Sequence, residues 1–309
     1  MTAIIVGLLS RAIQMSTPLI IGAMAEVLVE RAGVMNIAIE GIFLLGAWAG
    51  FVGSYSTGSH LVGIAAALAT GTLVGFCYGY ITVKLKQHQI VTGTAINILA
   101  AGLALYLYQV LFGIPLLPLT VEPLASINIP ILSNIPVFGE IFFKQNILTY
   151  FAFALIFIVF WVLFKTKVGL IIRSTGANPE AVDAAGINVD AVRFKAVLSS
   201  SALCGLAGAF YSIGFLGLFT GDIIGGRGWI AFAICFLGNW NPIGAAIGGL
   251  VFGLADAFSI VIQTWGFKAI PNEFIIAIPY ILTIIATISR KEFRVPKYLG
   301  VPYIKEGRR

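Results

Sequence analysis

The stretch Asn146-Ile-Leu-Thr-Tyr-Phe-Ala-Phe-Ala-Leu-Ile-Phe-Ile-Val-Phe-Trp-Val-Leu-Phe-Lys165 holds no charge before its final lysine. A helix needs about 20 mostly apolar residues to cross roughly 30 Å of hydrocarbon. Comparable stretches recur at about 12–30, 34–55, 60–83, 90–113, 194–217, 226–240, 242–263 and 270–289. The chain is therefore expected to be an all-α polytopic membrane protein of eight or nine spans. Arg11, Gln14 and Glu26 interrupt the first, and 226–240 is short enough to be a half-helix.

Composition agrees. Of 309 residues, 59% are apolar and 10% charged, with a mean hydropathy of +0.99; a soluble domain carries roughly 25% charged residues. A soluble enzyme is excluded on these grounds. Two histidines (His60, His88) leave no multi-histidine metal site, and Cys77, Cys204 and Cys235 all lie in apolar stretches, giving neither a disulfide framework nor a CxxC zinc site. No metal or cofactor is expected in this chain. Met1 to Ser10 has no positive n-region, so the first span is expected to be kept rather than cleaved.

Positive charge sets orientation. Lys84 and Lys86, then Lys165, Lys167, Arg173, Arg193 and Lys195, then Arg290, Lys291, Arg294, Lys297, Lys305, Arg308 and Arg309 mark three regions expected to be cytoplasmic, the last being a basic tail at 290–309. The loops 114–145, 218–225 and 264–269 are poor in cations and expected outside. For the basic tail to face inward, 226–240 must cross, or a neighbouring break must restore the count. The net charge of +6 thus reflects topology. No nucleic-acid partner is expected, because no basic patch is interleaved with aromatics on a soluble face; the partner of the apolar surface is membrane lipid.

One membrane domain, 1–309, is expected, with two polar interruptions. The first, at about 114–145, holds Pro115, Pro118, Pro123, Pro130 and Pro136 and cannot be a single helix; short helical pieces are expected in it. The second, at about 166–193, contains Asn178-Pro-Glu-Ala-Val-Asp-Ala-Ala-Gly186. Asn178 suits an N-cap, Pro179 the first helical position, Glu180 the positive end of the dipole and Gly186 the stop. A helix of about two turns is predicted there, with a small-residue centre at Ala181, Ala184 and Ala185. It is either a surface helix lying on the membrane or a docking helix for a cytoplasmic partner.

Within the spans, Gly41, Gly46, Gly50, Gly205, Gly208, Gly244, Gly248, Gly249 and Gly253 are spaced for close helix packing in lipid. No G-x-x-x-x-G-K-[ST], H-E-x-x-H or G-x-S-x-G occurs, nor an arginine ladder at three-residue spacing, so the chain lacks a P-loop, the common hydrolase signatures and a voltage sensor. Ionisable groups inside spans are functional candidates by default. Glu30 and Arg31 read as a snorkelled or paired couple at an interface. Glu40 lies one turn beyond Asn36 on one helical face, where the two either line a polar cavity or hydrogen-bond between helices. Glu26 is similar, and Asp256 reads as structural. Asn97, Gln109, Ser199 to Ser201, Trp48 and Tyr211 add amides, hydroxyls and aromatic faces, which suit a neutral, ring-bearing solute better than a bulk ion.

Three ordered blocks carry a resemblance. Glu30-Arg-Ala-Gly-Val-Met-Asn36-Ile-Ala-Ile-Glu40-Gly41, Gly176-Ala-Asn178-Pro-Glu180-Ala-Val-Asp-Ala-Ala-Gly186-Ile187, and Gly226-Arg-Gly228-Trp with Leu237-Gly238-Asn-Trp-Asn-Pro242 and Asp256 resemble the branched-chain-amino-acid-type permeases of bacterial ABC importers. The Glu-Arg-Ala-Gly form and the Arg227–Gly228 pair look most like the nucleoside permeases of the simple-sugar subgroup. The resemblance implies a type II importer bundle of about eight to ten helices in the bacterial inner membrane. It also implies a second permease subunit, cytoplasmic ABC ATPase subunits that bind ATP and Mg, and an extracytoplasmic binding lipoprotein. On that basis Asn178, Glu180, Ala181, Asp183, Ala184 and Gly186 are the expected ATPase-coupling element. Glu26, Asn36, Glu40, Trp48 and Asn97 are the substrate-path candidates. Nucleoside import is the function implied. Sugar or branched-chain amino acid import, and ion-coupled secondary transport through Glu26, Glu40 or Asp256, are the alternatives.

Overall fold

The computed structural model describes residues 2–264, 271, 274–275, 277–289 and 293–305. The expected 264–269 loop and the cations at 290, 291, 308 and 309 lie almost wholly outside these. Helix α1 (Thr2–Arg31) is followed by a break at 32–38 and then α2 (Ile39–Thr57). Next come α3 (His60–Gly79), ending in a π-turn to Lys84, and α4 (Gln89–Phe112). After the 114–145 region, α6 (Ile147–Lys165) leads through α7 (Lys167–Ala177) and α8 (Pro179–Ala184) to α9 (Val189–Ala209), which ends in a π-segment, Phe210–Leu216. Helices α10 (Arg227–Leu237), α11 (Pro242–Thr264) and α12 (Ile278–Ser289) complete the bundle.

Six described helices are long and apolar enough to cross a membrane, and the chain is a multi-pass membrane protein. The first is longer than the expected 12–30: Arg11 is exposed at its surface, so it does not end the helix. Within expected span 226–240 the helix has 11 residues, about 16 Å of rise, the half-helix that its length allowed, and the non-helical segment 217–226 precedes it.

Burial decides the layers. The apolar window of α1 is 89% buried and that of α4 only 17%, so α1 is the axis and α4 the rim. Helix α1 packs along α11, α9 and α10, while α2 sits between α3, α4 and α9. Glycines occur where backbones meet: Gly46 faces Gly205, Gly71 faces Ser201, Gly208 faces the Phe43 carbonyl and Gly253 faces Ser16. Gly208→Val is expected to force α2 and α9 apart and cost about 1–3 kcal/mol or more, read as a lowered melting temperature in detergent. Gly102→Ala, with open space around it, is the unaffected control.

The proline-rich region holds short elements, as expected, and an unforeseen two-stranded ribbon: β1 (Ser126–Asn128) antiparallel to β2 (Lys144–Asn146). A 3₁₀ turn at Leu132–Asn134 and α5 (Phe138–Phe142) lie between them. The region is stitched to the end of α9. Leu124 N donates to Ile213 O (2.8 Å) and Val121 N to Gly217 O (2.7 Å); Asn146, which caps α6, donates to Gly214 O (3.1 Å). A π-segment departs from the regular helical ladder, and the acceptors used here are two of its carbonyls and that of Gly217, which follows it.

Candidate functional site

Asn178, Glu180, Ala181, Asp183, Ala184 and Gly186 form one short helix with defined ends. The Asn178 side chain accepts from Ala181 N at 3.1 Å. At the other end Gly186 has φ +79°, Ile187 N donates to Val182 O (3.2 Å) and Gly186 N to Asp183 O (2.9 Å), a Schellman closure. Pro179 and Val182 are buried and anchor α8, whereas Glu180, Ala181, Ala184 and Ala185 are exposed. The helix thus presents one acidic group on a nearly bare small-residue face. Helix α7, ahead of it, was not anticipated.

The C-terminal segment 293–305, part of the expected basic tail, folds back over this end, a docking that was not anticipated. Arg294 N donates to Asn239 Oδ1 (2.7 Å), Tyr298 N to Gly176 O (2.9 Å) and Gly300 N to Gly33 O (3.1 Å). Lys305 pairs with Asp183 at 2.9 Å. At the centre is Arg193, 2% exposed, whose Nε donates to Ala32 O (3.2 Å) and Nη1 to Val301 O (2.7 Å). Gly33 has φ +89° and lies so close to Arg193 and Tyr298 that a Cβ would collide. The α1–α2 break, the α7–α9 segment and the tail therefore meet at one knot. An open depression of about 510 Å³ beside it is bounded by Lys86, Gly186, Asp190, Tyr303 and Lys305, with Lys86 paired to Asp190.

Lys305 holds the Asp183 carboxyl below the usual carboxylate range. A lowered carboxyl pKa means that the pair favours the docked tail at neutral pH and is lost as pH falls through the lowered value. Lys305→Glu is expected to speed amide exchange at 301–305 with little change in global stability. The charge-swapped pair Asp183→Lys, Lys305→Asp is expected to restore protection.

Inside the bundle, the five path candidates do not form one site. Asn36 lies in the 32–38 break, so it and Glu40 do not share a helical face; Gly33, with its positive φ, ends the helix between the two blocks. Glu40 instead accepts from Gly226 N and Gly228 N, both at 2.8 Å, which caps α10. Asn97 splints the break, donating to Ile37 O and accepting from Gly41 N, both at 2.8 Å. Both are interhelical ties. Glu26 is fully buried, beside Asn36 and near Glu30. Asn36 donates to Cys204 Sγ at 3.9 Å. Trp48 Nε1 is buried without a partner elsewhere on α2.

The Glu30–Arg31 couple is also corrected. Glu30 is fully buried and accepts from Trp240 Nε1, while Arg31 Nε donates to Trp240 O at 2.9 Å and its guanidinium stands 5.8 Å over Phe164. Adjacent helical residues point about 100° apart, so each meets a different part of Trp240. Asp256 pairs with Arg227 at 2.9 Å. Arg227 was visible in sequence only as part of a block.

The family model for the branched-chain amino acid transport system / permease component matches residues 8–287. The chain is 39% identical over 299 residues to the nucleoside ABC transporter permease protein NupC of Lactococcus lactis subsp. cremoris, covering 94% of each chain. It is 39% identical over 304 residues to the guanosine ABC transporter permease protein NupQ of Bacillus subtilis, covering 95% of each. A putative glucose ABC transporter permease protein of Haloferax volcanii, TsgC13, is 31% identical over 270 residues, covering 86% of this chain and 80% of its own.

Proposed function

Because the chain belongs to the branched-chain amino acid transport system / permease component family, we propose that it is the membrane-spanning subunit of an ATP-driven nucleoside importer. Its role is transport rather than catalysis, with hydrolysis left to separate ATPase chains. The carrying observation is the 39% identity to two permeases named for nucleoside or guanosine, along nearly the whole of each chain. The basic end, with α8 and the tail, is assigned to the cytoplasm of a bacterial cell, in keeping with the positive-inside rule. The other partners are a second permease subunit and an extracytoplasmic binding lipoprotein.

The mechanism follows from differential binding to two states. ATP closes the ATPase pair, α8 moves with it, and the knot at Arg193 carries that displacement to the α1–α2 break. Since α1 is the axis, its displacement changes which side the pathway opens to. The exposed face of Glu180, Ala181 and Ala184 supports this role for α8: small side chains let a partner's backbone approach, and one carboxylate fixes register. Sugar import is the second reading, favoured by the likeness to TsgC13.

The substrate test is uptake of radiolabelled guanosine and uridine by cells carrying the whole system. Excess unlabelled nucleosides are expected to compete and glucose is not. Competition by glucose alone would move the cargo to the sugar class.

A further inference from the structure

We propose that residues 220–228, with Tyr211 and Tyr280, form a solute-contact site midway through the bundle, fitted to an uncharged nucleoside rather than a nucleotide. The proposal rests on the permease function above and names the place where the solute is met.

Depth comes first. From Arg227, α10 runs 11 residues to Leu237, about 16 Å, and then reaches Trp240, which Arg31 contacts at the basic end. Arg227 therefore starts near the middle of the bundle. Its partner Asp256 gives the same depth from another helix, lying about 21 Å along α11 from Pro242. The segment before α10 enters from the opposite end, where Leu218 bridges to Thr120. It descends without helical structure, and Thr220, Gly221, Asp222 and Gly225 are exposed. Irregular backbone exposed at membrane depth cannot face lipid, because its N–H and C=O groups would lack partners; it must line water or protein.

Charge narrows the occupant. The N–H groups at the start of α10 are already taken by Glu40, so this helix end is closed to an anion. Arg227 is matched by Asp256. Among the described residues the exposed Asp222 carboxylate has no ion-pair partner, and it adds a negative group that repels phosphate and accepts from hydroxyls. Two phenols complete it. Tyr280 Oη donates to Gly225 O at 2.5 Å, and the residue is 40% exposed. Tyr211 is 2% exposed, its ring lies 5.6 Å from the Arg227 guanidinium, and it is in electrostatic contact with Asp256, Glu40 and Tyr280. Among the described residues its hydroxyl has no hydrogen-bond partner. A buried phenol left unmatched at a neutralised helix break is a donor waiting for an acceptor, and a base or ribose oxygen supplies one. The Tyr280 ring offers a stacking face for the base.

The test uses the whole transporter in membrane vesicles, with exposed Cys77 replaced by serine (Cys204 and Cys235 are buried). Thr220→Cys and Gly221→Cys are made singly and treated with a charged, water-soluble thiol reagent. Both are expected to react, and saturating guanosine or uridine to slow the reaction several-fold, while guanosine monophosphate does not. Gly102→Cys, on the exposed face of α4, is expected to stay unreactive. If neither cysteine reacts in the assembled complex, the segment is covered by protein and the proposal fails. Reaction that no solute slows also overturns it. If glucose protects and nucleosides do not, the site stands as a solute site but its nucleoside fit falls, together with the substrate proposed above.

Discussion

Arg227→Met is expected to destabilise the subunit by about 3–5 kcal/mol, because it leaves a buried carboxylate without its cation. Asp256 is 6% exposed, and Arg227 Nε is its ion-pair partner at 2.9 Å. The pair joins α10 to α11 in the middle of the bundle, with the carboxylate on its buried side. Asp256→Leu alone strands the cation instead and is expected to cost less, since the Arg227 side chain is 27% exposed. Removing both charges together, Arg227→Met with Asp256→Leu, is expected to recover most of the loss. Thermal unfolding of the purified protein in detergent reads all three. Equal losses in the first single variant and the double variant would show that the pair is not the tie between these helices.

Arg193→Met is expected to reduce uptake at least tenfold while the assembled complex continues to hydrolyse ATP. Arg193 is a positioning residue: it holds Ala32 O and Val301 O on one guanidinium and so joins the α1–α2 break to the tail. Losing its donor leaves the buried Ala32 carbonyl unmatched, at about 1–3 kcal/mol, which a bundle of this size survives. What fails is transmission, since α8 then moves without carrying the break. Arg193→Lys, which keeps one donor, is expected to recover part of the uptake. The diagnostic is the ratio of ATP hydrolysed to solute moved. If uptake and hydrolysis fall together, the knot is merely structural. If neither falls, the tail has no part in coupling.

Features with a local cause were legible in sequence. Asn178, Pro179 and Gly186 each satisfy a backbone requirement within a few residues, so α8 appears where it was expected. Uninterrupted apolar runs such as 146–165 mark crossing helices for the same reason. The close-packed glycines were legible as a class, because lipid leaves packing as the main source of helix association. Ties between distant residues were hidden. Arg227 and Asp256 are 29 positions apart, and no periodicity links them. Glu40 looked like a path residue because an acid in a span invites that reading, and only the fold brings Gly226 and Gly228 to it. Asn36 was misassigned to a helical face because Gly33 was not taken as a break. The tail, with its prolines and glycine, has no helical period, and its docking depends on backbone groups that sequence does not distinguish.

The most direct measurement is guanosine uptake into proteoliposomes holding this subunit, its permease partner and the ATPase, with the binding lipoprotein supplied on the face opposite α8 and ATP on the α8 face. Uptake is expected to require ATP on the α8 face, to stop when the ATPase cannot hydrolyse, and to be lost with Glu180→Arg together with ATPase binding. Guanosine uptake by this chain alone, driven by a proton or sodium gradient without the ATPase, would contradict the account and turn attention to Glu26 and the other buried acids.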